Sequence, residues 1–280
     1  MDIQIITIFV LCDELLQASK HQEEASCKVS DAEIMTTAVC ATLFFGGNFE
    51  RTGAFLRMSR AIPIQLSRSQ FNRRLHRLKP QFVLLFEILG QAWKKQNRDA
   101  TYLIDTFPVP VCDNIRIRRA RLYQEEAYRG YTPSKRRYFY GLKIHLMITA
   151  SGHPVELFFT PGSVGDVDGL QLFAFDLPEG STIYADKAYN DYTSEDLLEE
   201  ACGIHLMPLR KKNSKRALPA YIEFVQQYQR KRIETAGSLL ERLLPKHIHA
   251  VTSKGFELKL FLFVLAYSIS TLFHLSLIHI

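Results

Sequence analysis

Two aspartates occur in matching sequence contexts and could act together. Asp105 follows Tyr-Leu-Ile, and Asp186 follows Ile-Tyr-Ala. Each short apolar run predicts a buried strand, and a carboxylate at the carboxyl end of a strand lies at the edge of an α/β sheet, where sites are built. A single aspartate in such a place more often caps the next turn. Because both aspartates share the context, we favour one common site over two unrelated caps.

A divalent metal ion is the chemistry that such a carboxylate pair predicts. Like charges at close range repel each other, and a bound cation offsets that repulsion. Carboxylate oxygens are the ligands that Mg²⁺ prefers, with Mn²⁺ as the alternative. In sites with two ions, the ions lie roughly 3.5–4 Å apart and bind the attacking and leaving oxygens of a phosphodiester. We therefore expect Asp105 and Asp186 to bind a pair of metal ions.

A long helix, predicted over residues 221–244, supplies the candidate for a third carboxylate. Glu234 lies at the edge of the apolar stripe of this helix and can face the sheet. Arg230, one turn earlier, could hold that carboxylate or a phosphate. Two alternatives stay open: Glu241, seven residues later on the same side, is the rival ligand, or Glu234 only pairs with Arg230 on the surface. The stripe consists of Ile233, Ala236, Leu240 and Leu244.

The composition describes a globular protein with a basic balance. The chain has 280 residues, of which 47% are hydrophobic and 23% charged, which excludes wholesale disorder. The net charge of +6 and the pI of about 9.0 favour a polyanionic partner. The five cysteines are an odd number and form no C-x-x-C pair, which argues against a disulfide framework and a zinc ribbon and fits a reducing cytoplasm.

Residues 1–98 are predicted to be helical. Ser30 with Glu33 and Ser67 with Gln70 are capping boxes, and Gly46-Gly47 ends the helix that follows the first of them. The helix after Ser67 is strongly basic and resembles the recognition helix of a helix-turn-helix, although a solvated helix surface has the same composition. The DNA-contact candidates on this helix are Arg68, Arg73, Arg74 and Arg77.

From residue 99 the pattern predicts a mixed α/β sheet with helices packed on it. A strand over 102–104 precedes a hairpin over 138–149 and 155–160. A helix over 168–175 with Asp168 as its cap, a strand over 183–185, a helix over 194–201 capped by Thr193 and a strand over 205–209 follow. His145 lies inside a predicted strand and is expected to be structural. We expect a helical region over 1–98, an α/β domain over 99–250 and an apolar helix over 251–280, packed on the α/β domain rather than spanning a membrane.

Two basic clusters flank the proposed site in the sequence. The first, over residues 116–143, interleaves arginines and lysines with tyrosines, which suits phosphate contact and base stacking. The second follows the strand over 205–209. Solvated charged loops are the alternative for both. The predicted DNA contacts here are Arg116, Arg118, Arg119, Arg121, Arg136, Arg137, Lys211, Lys212 and, on the long helix, Arg230, with Lys135 inside the first cluster.

Four segments together resemble the DDE transposases of bacterial insertion sequences, and more narrowly their IS982 group: YLIDTFPVPVCD, HLMITASGHPVELFFTPGSVGDVDG, YADKAYND and RKRIETAGSLLERL. The resemblance implies a ribonuclease-H-like fold and a catalytic triad of Asp105, Asp186 and Glu234. It implies metal-dependent cleavage at the ends of the element, followed by strand transfer into target DNA. The implied partners are double-stranded DNA, with its terminal inverted repeats, and further copies of the chain; the implied location is the bacterial cytoplasm, at the nucleoid. Related groups carry a basic residue about two turns after the glutamate, a place that Arg242 can fill.

Two other functions remain open from the sequence. A ribonuclease-H-like nuclease would share the acids and cut DNA without joining it. A non-catalytic DNA-binding protein derived from a transposase would bind DNA without metal-dependent cleavage.

Overall fold

The computed structural model describes residues 2–24, 26–132 and 136–278. The chain divides into two compact units, and each is considered separately. The helical unit comprises Met1–Leu89 and Leu239–Ile280, and the sheet unit comprises Gly90–Ser238.

Most of the helical unit is formed by helices near the start of the chain: α1 (Asp2–Ala18), α2 (Asp31–Phe44), α3 (Phe49–Met58), α4 (Arg68–Arg77) and the first part of α5 (Lys79–Gln96). Both predicted capping boxes are present: Ser30 accepts from the backbone N–H of Glu33, and Ser67 from that of Gln70. Residues 46 and 47 have positive φ angles of 57° and 78°, which glycine adopts readily, and they follow α2 as predicted.

The sheet unit is built on strands β1 (Thr101–Asp113), β2 (Arg129–Thr132), β3 (Arg137–Thr149), β4 (Pro154–Pro161), β5 (Thr182–Ala185) and β6 (His205–Pro208). Their order is β2-β3-β1-β5-β6, and β4 also pairs with β3. Strands β1, β3 and β4 are antiparallel neighbours, whereas β5 pairs in parallel with both β1 and β6. The mixed sheet and the β3–β4 hairpin agree with the sequence prediction.

The α-helical segments of the sheet unit, among the described residues, are the last part of α5, α6 (Asp166–Leu170), α7 (Tyr192–Cys202) and the first part of α8 (Ala220–Leu243). The predicted cap of α7 was wrong. Asp191, not Thr193, is the N-cap, and its Oδ2 accepts the backbone N–H of Ser194 at 3.1 Å. The predicted cap of α6 was also wrong, because α6 begins at Asp166 and its N-cap is Gly165.

The last helix, α9 (Ser253–Ile278), belongs to the helical unit, where it packs against α2. The sequence predicts that this helix packs on the α/β domain. The apolar residues of this helix predict that it is buried, but they do not indicate which part of the protein covers it. The predicted and the observed packing partners differ for this reason. The stretch Ser253–Phe273 is long and apolar enough to cross a membrane, yet 61% of its most apolar window is buried within the protein, as in a core helix.

Unit boundaries also differ from the predicted domain boundaries at 98/99 and 250/251. The divisions fall at 89/90 and 238/239, inside α5 and α8. Sequence patterns indicate where a helix ends. They could not indicate these two boundaries, because α5 and α8 each continue from one unit into the other.

Candidate active site

Asp105 lies on β1, and Asp186 directly follows the parallel neighbouring strand β5. Leu103 of β1 pairs with Tyr184 of β5, and extending that register by two residues pairs Asp105 with Asp186. The prediction that Asp105 ends its strand was wrong, because β1 continues to Asp113 and Asp105 pairs with Leu146 of β3.

Two prolines explain why the strand was predicted to be short. Pro108 and Pro110 lack the N–H that a ladder needs, so the sequence after Asp105 reads poorly as a strand. In the described part of the chain, β5 pairs with β1 only from Thr101 to Leu103. Beyond that point β1 has an open edge, where proline is tolerated.

Burial is the largest cause that raises the pKa of Asp105, which reaches about 7. The negative charges of Asp186 and Asp166 raise it further, against the backbone N–H of Thr106 and the positive charge of Arg230. A bound cation would offset the burial and the like charges that Arg230 does not compensate.

Each aspartate also accepts the backbone N–H of the next residue. Asp105 Oδ1 accepts from Thr106 at 2.8 Å, and Asp186 Oδ1 accepts from Lys187 at 2.6 Å, where it caps the short 3-10 helix Lys187–Tyr189. The capping alternative therefore holds for Asp186, whereas Asp105 lies within β1 and precedes no turn.

Helix α8 crosses the sheet and brings Glu234 towards the aspartates. At β6, Gln226 Nε2 donates to the carbonyl oxygen of Met207 at 3.3 Å. At β1, Gly237 lies so close to Phe107 that a Cβ on this glycine would stand 2.3 Å from the ring. Side chains alternate along a strand, so Phe107 shares its face with Asp105. Glu234 lies one turn before Gly237 and therefore belongs to the same side of the sheet.

Arg230 connects two of the three predicted acids. Its Nη1 lies 2.8 Å from Asp186 Oδ1, and its Nε lies 2.9 Å from Glu234 Oε1. The sequence left open whether Arg230 pairs with Glu234, and the structure shows the pair. Among the described residues, no three acid, histidine or cysteine side chains are arranged to hold a metal ion. Arg230 supplies the positive charge between Asp186 and Glu234 in this arrangement.

Glu241 lies on the part of α8 that belongs to the helical unit, and both Glu241 and Glu234 have exposed side chains. The contacts of α8 within the sheet unit thus favour Glu234 as the third acid.

Sequence reasoning missed a polar network on the opposite face of β1. Thr106 Oγ1 lies 2.6 Å from Tyr189 Oη and 3.2 Å from His145 Nδ1, and His145 Nε2 lies 2.8 Å from Thr160 Oγ1. Burial is the main cause that lowers the pKa of His145 to about 4, so the ring is neutral. His145 was correctly expected to be structural. Its partners could be found only with the register that places Thr106 opposite His145.

Asp166 is a fourth acid near the pair. It contributes to the raised pKa of Asp105, and Lys143 Nζ lies 3.4 Å from its Oδ1. The site thus combines hard oxygen ligands with basic side chains, which suits binding of a cation and of a phosphate beside it.

Most of the predicted DNA contacts are exposed. This holds for Arg116, Arg118, Arg119, Arg121, Arg136, Arg137, Lys211 and Lys212 in the sheet unit and for Arg68, Arg73 and Arg77 on α4. Lys135 lies outside the described residues.

Arg74 is a correction to this set. Its side chain is 12% exposed, and it donates to the buried carboxylate of Asp31 and, at 2.7 Å, to Glu23. We assign Arg74 to the fold of the helical unit rather than to DNA. In the second basic cluster, Arg210 makes a bidentate ion pair with Glu195 at 2.6 and 2.9 Å. We therefore assign Arg210 to the fold of the sheet unit as well.

Comparison with known proteins identifies the family. Residues 95–249, more than half of the chain, match the family model described as transposase DDE domain. The matched stretch contains Asp105, Asp186 and Glu234. Searches among curated proteins and among solved structures found no significant match. The chain therefore belongs to the transposase DDE domain family.

Proposed function

We propose that this transposase cleaves DNA at the ends of an insertion sequence of the IS982 group and transfers the freed strand into target DNA. The observation that carries the proposal is the path of α8. It brings Glu234 to the face of the sheet where Asp105 lies and joins it, through Arg230, to Asp186. These are the three acids that the resemblance implies, and they come from three separate elements.

We further propose a ribonuclease-H-like fold for the sheet unit. The support is the strand order: an antiparallel set of β1, β3 and β4 is extended through β1 by the parallel strands β5 and β6.

The residues fit a divalent cation, either Mg²⁺ or Mn²⁺. Asp105, Asp186 and Glu234 would hold the ions, and a cation would offset the burial and the negative neighbours that raise the pKa of Asp105. Bound ions would activate water and stabilise the negative charge that develops on the phosphate. Arg230 must leave at least one carboxylate to make room for an ion. Its guanidinium is then available to bind a DNA phosphate.

The remaining basic residues fit contacts to the DNA backbone. Exposed arginines over 116–121 and 136–137, with Lys211 and Lys212, belong to the same unit as the acids. The partner that we propose is double-stranded DNA with terminal inverted repeats. An active complex of several copies would hold two ends together, at the nucleoid in the cytoplasm.

Cleavage assays on DNA that carries both ends of the element, taken from the sequence flanking the gene, test this function. We expect wild-type protein to cut at the ends with Mg²⁺ and to join them to a target plasmid. Asp105→Asn, Asp186→Asn and Glu234→Gln should each lose cleavage while DNA binding is retained. Glu223→Gln, an exposed acid on the same helix, is the matched control and should cut normally.

The same assay separates the alternatives. Cleavage without joining would favour a nuclease, and binding without cleavage would favour a non-catalytic DNA-binding protein. If Glu241→Gln abolished cleavage and Glu234→Gln did not, the third ligand would be Glu241.

A further inference from the structure

The helical unit contains a cavity of about 910 Å³, distinct from the acids of the sheet unit. Its walls come from α2 and the segment after it, from α3, from α4 with the segment before it, from residues 245–249 and from α9. This volume lies within the range of small-molecule sites, roughly 300–1,000 Å³, and can hold a nucleotide.

Aromatic rings line the cavity. Phe49 and Phe71 have ring centroids 5.2 Å apart with a 43° interplanar angle, and Phe45 and Phe263 also belong to the wall. Phe49 and Phe71 are half-buried, so each keeps part of its surface accessible. Ring surfaces of this kind stack with any nucleobase, because every base has a π-face.

Positive charge surrounds the same rings. Arg68, Lys246 and Lys259 line the cavity, and Glu50 is the one acid among the described residues of the lining. Lys259 Nζ lies 5.2 Å from the centroid of Phe49, where a cation interacts favourably with the ring. Burial, followed by the charge of Arg68, lowers the pKa of Lys259. An anion in the cavity would favour the charged form of Lys259 and so counteract this shift.

Glu50 does not neutralise the positive charge of the cavity. Arg68 Nε lies 3.8 Å from Glu50 Oε1, but both side chains are mostly exposed, and such a pair is weak. Amide side chains of Gln65 and Asn72 also line the cavity. They can donate and accept hydrogen bonds, which the edge of a base requires.

We propose that this cavity binds one unpaired nucleotide of a DNA strand, with the base against Phe49 and Phe71 and a phosphate near Lys259 and Arg68. The inference rests on the proposed function, because it takes DNA as the ligand. Rings alone would fit many apolar ligands, and cations alone would fit any anion. Their combination in one nucleotide-sized cavity, beside the exposed arginines of α4, matches a ligand that has both a flat base and a phosphate.

The test uses the full chain without divalent metal and two DNA duplexes. One carries a single 2-aminopurine opposite an abasic site, and the other carries the same base paired with thymine. We expect wild-type protein to bind the first duplex about tenfold more tightly, as stacking of one base on an aromatic side chain allows. We also expect binding to shield the 2-aminopurine from quenching by acrylamide.

Matched variants locate the effect. Phe49→Leu keeps apolar volume but loses the ring, and Lys259→Gln loses the cation, so both should lose the preference for the unpaired base. Phe49→Tyr keeps a ring and should retain it. Lys254→Gln removes an exposed lysine from the same helix, outside the cavity lining, and should also retain it.

The proposal is overturned if wild-type protein binds both duplexes equally, or if Phe49→Leu and Lys259→Gln keep the preference and the shielding. If Phe49→Leu fails to fold, the proposal is tested by the duplex preference of Lys259→Gln and by the shielding of 2-aminopurine in the wild-type complex. Metal-dependent cleavage is measured in parallel. Wild-type protein that cuts element ends without preferring the unpaired base refutes this inference alone, whereas failure to bind either duplex refutes the proposed function as well.

Discussion

Gly237 of α8 and Phe107 of β1 are in such close contact that a Cβ on the glycine would stand 2.3 Å from Phe107 Cε1. Phe107 is two residues after Asp105 on the same face of the strand, and Gly237 is three residues after Glu234 on the helix. The contact therefore sets how near the third acid comes to the sheet. The absence of a side chain at one position of α8 thus affects the spacing of two proposed catalytic groups.

Gly237→Ala tests this spacing. The added methyl group must push α8 from β1 or rotate the Phe107 ring, and overpacking of this kind costs about 1–3 kcal/mol. We expect a lower midpoint in urea unfolding and slower metal-dependent cleavage. Ser238→Ala, at the exposed neighbouring position, is the control and should change neither. Normal cleavage by a destabilised Gly237→Ala protein would show that the contact does not position Glu234.

Thr106→Val tests the network behind the site. Thr106 bonds to His145 and Tyr189, and its backbone N–H donates to Asp105. Valine keeps the shape but leaves two buried polar partners without its hydroxyl. Supporting groups of this kind typically change activity by 10–100-fold in metal sites, so we expect cleavage to fall by about tenfold with DNA affinity unchanged. Thr106→Ser keeps the hydroxyl and should restore cleavage; equal loss in both variants would contradict a role for the hydrogen bonds.

Features set by local sequence were predictable. The capping boxes at Ser30 and Ser67 form because each cap and its partner lie three residues apart. The register of α8 placed Glu234 beside its apolar stripe, and Ile233 and Ala236 are indeed buried. The β3–β4 hairpin followed from alternation and a turn between its strands.

Features set by partners distant in the sequence were not predictable. Arg74 had the composition of a DNA contact, but its partner Asp31 is 43 residues away. Thr106 and His145 meet only because of the β1–β3 register, which no local pattern reports. The open edge of β1 that tolerates Pro108 depends on where β5 stops pairing.

Asp31→Asn tests the ion cluster that involves Arg74. Asp31 is fully buried, and His21 Nε2 lies 2.8 Å from its Oδ2. Burial acts to raise the pKa of Asp31, but hydrogen bonds from His21 and Arg74, with the charges of Arg74 and Arg77, outweigh it and lower the pKa. A lowered carboxyl pKa stabilises the fold above the unfolded value, about 3.9, and this contribution is lost as the pH falls through the folded pKa.

Removing one partner of a buried ion pair costs about 3–5 kcal/mol, so we expect Asp31→Asn to lower the free energy of unfolding by that amount near neutral pH. The difference from wild type should shrink below about pH 4. Urea unfolding followed across this pH range measures it, with the exposed Glu87→Gln in the same unit as the control. A difference that stays constant into acid would contradict the ionised state of Asp31.

Arg230→Gln tests whether the arginine and a metal ion compete for the same carboxylates. Arg230 bridges Asp186 and Glu234 at 2.8 and 2.9 Å, and its charge also acts on Asp105. Glutamine removes the positive charge and leaves the acids free for a cation, so the Mg²⁺ concentration that half-saturates the protein should fall several-fold.

Stabilisation by a ligand grows with its concentration relative to Kd, so melting temperature measured against Mg²⁺ reports this change in affinity without any catalytic step. Arg232→Gln removes the same charge from the same helix and loses a bond to the Ala150 carbonyl oxygen and a contact with the Tyr228 ring, neither of which involves the acids, so it should titrate like wild type. Identical Mg²⁺ curves for Arg230→Gln and Arg232→Gln would show that Arg230 does not hold the position of the ion. A shift in the first alone would place the metal between the same carboxylates that the arginine now joins.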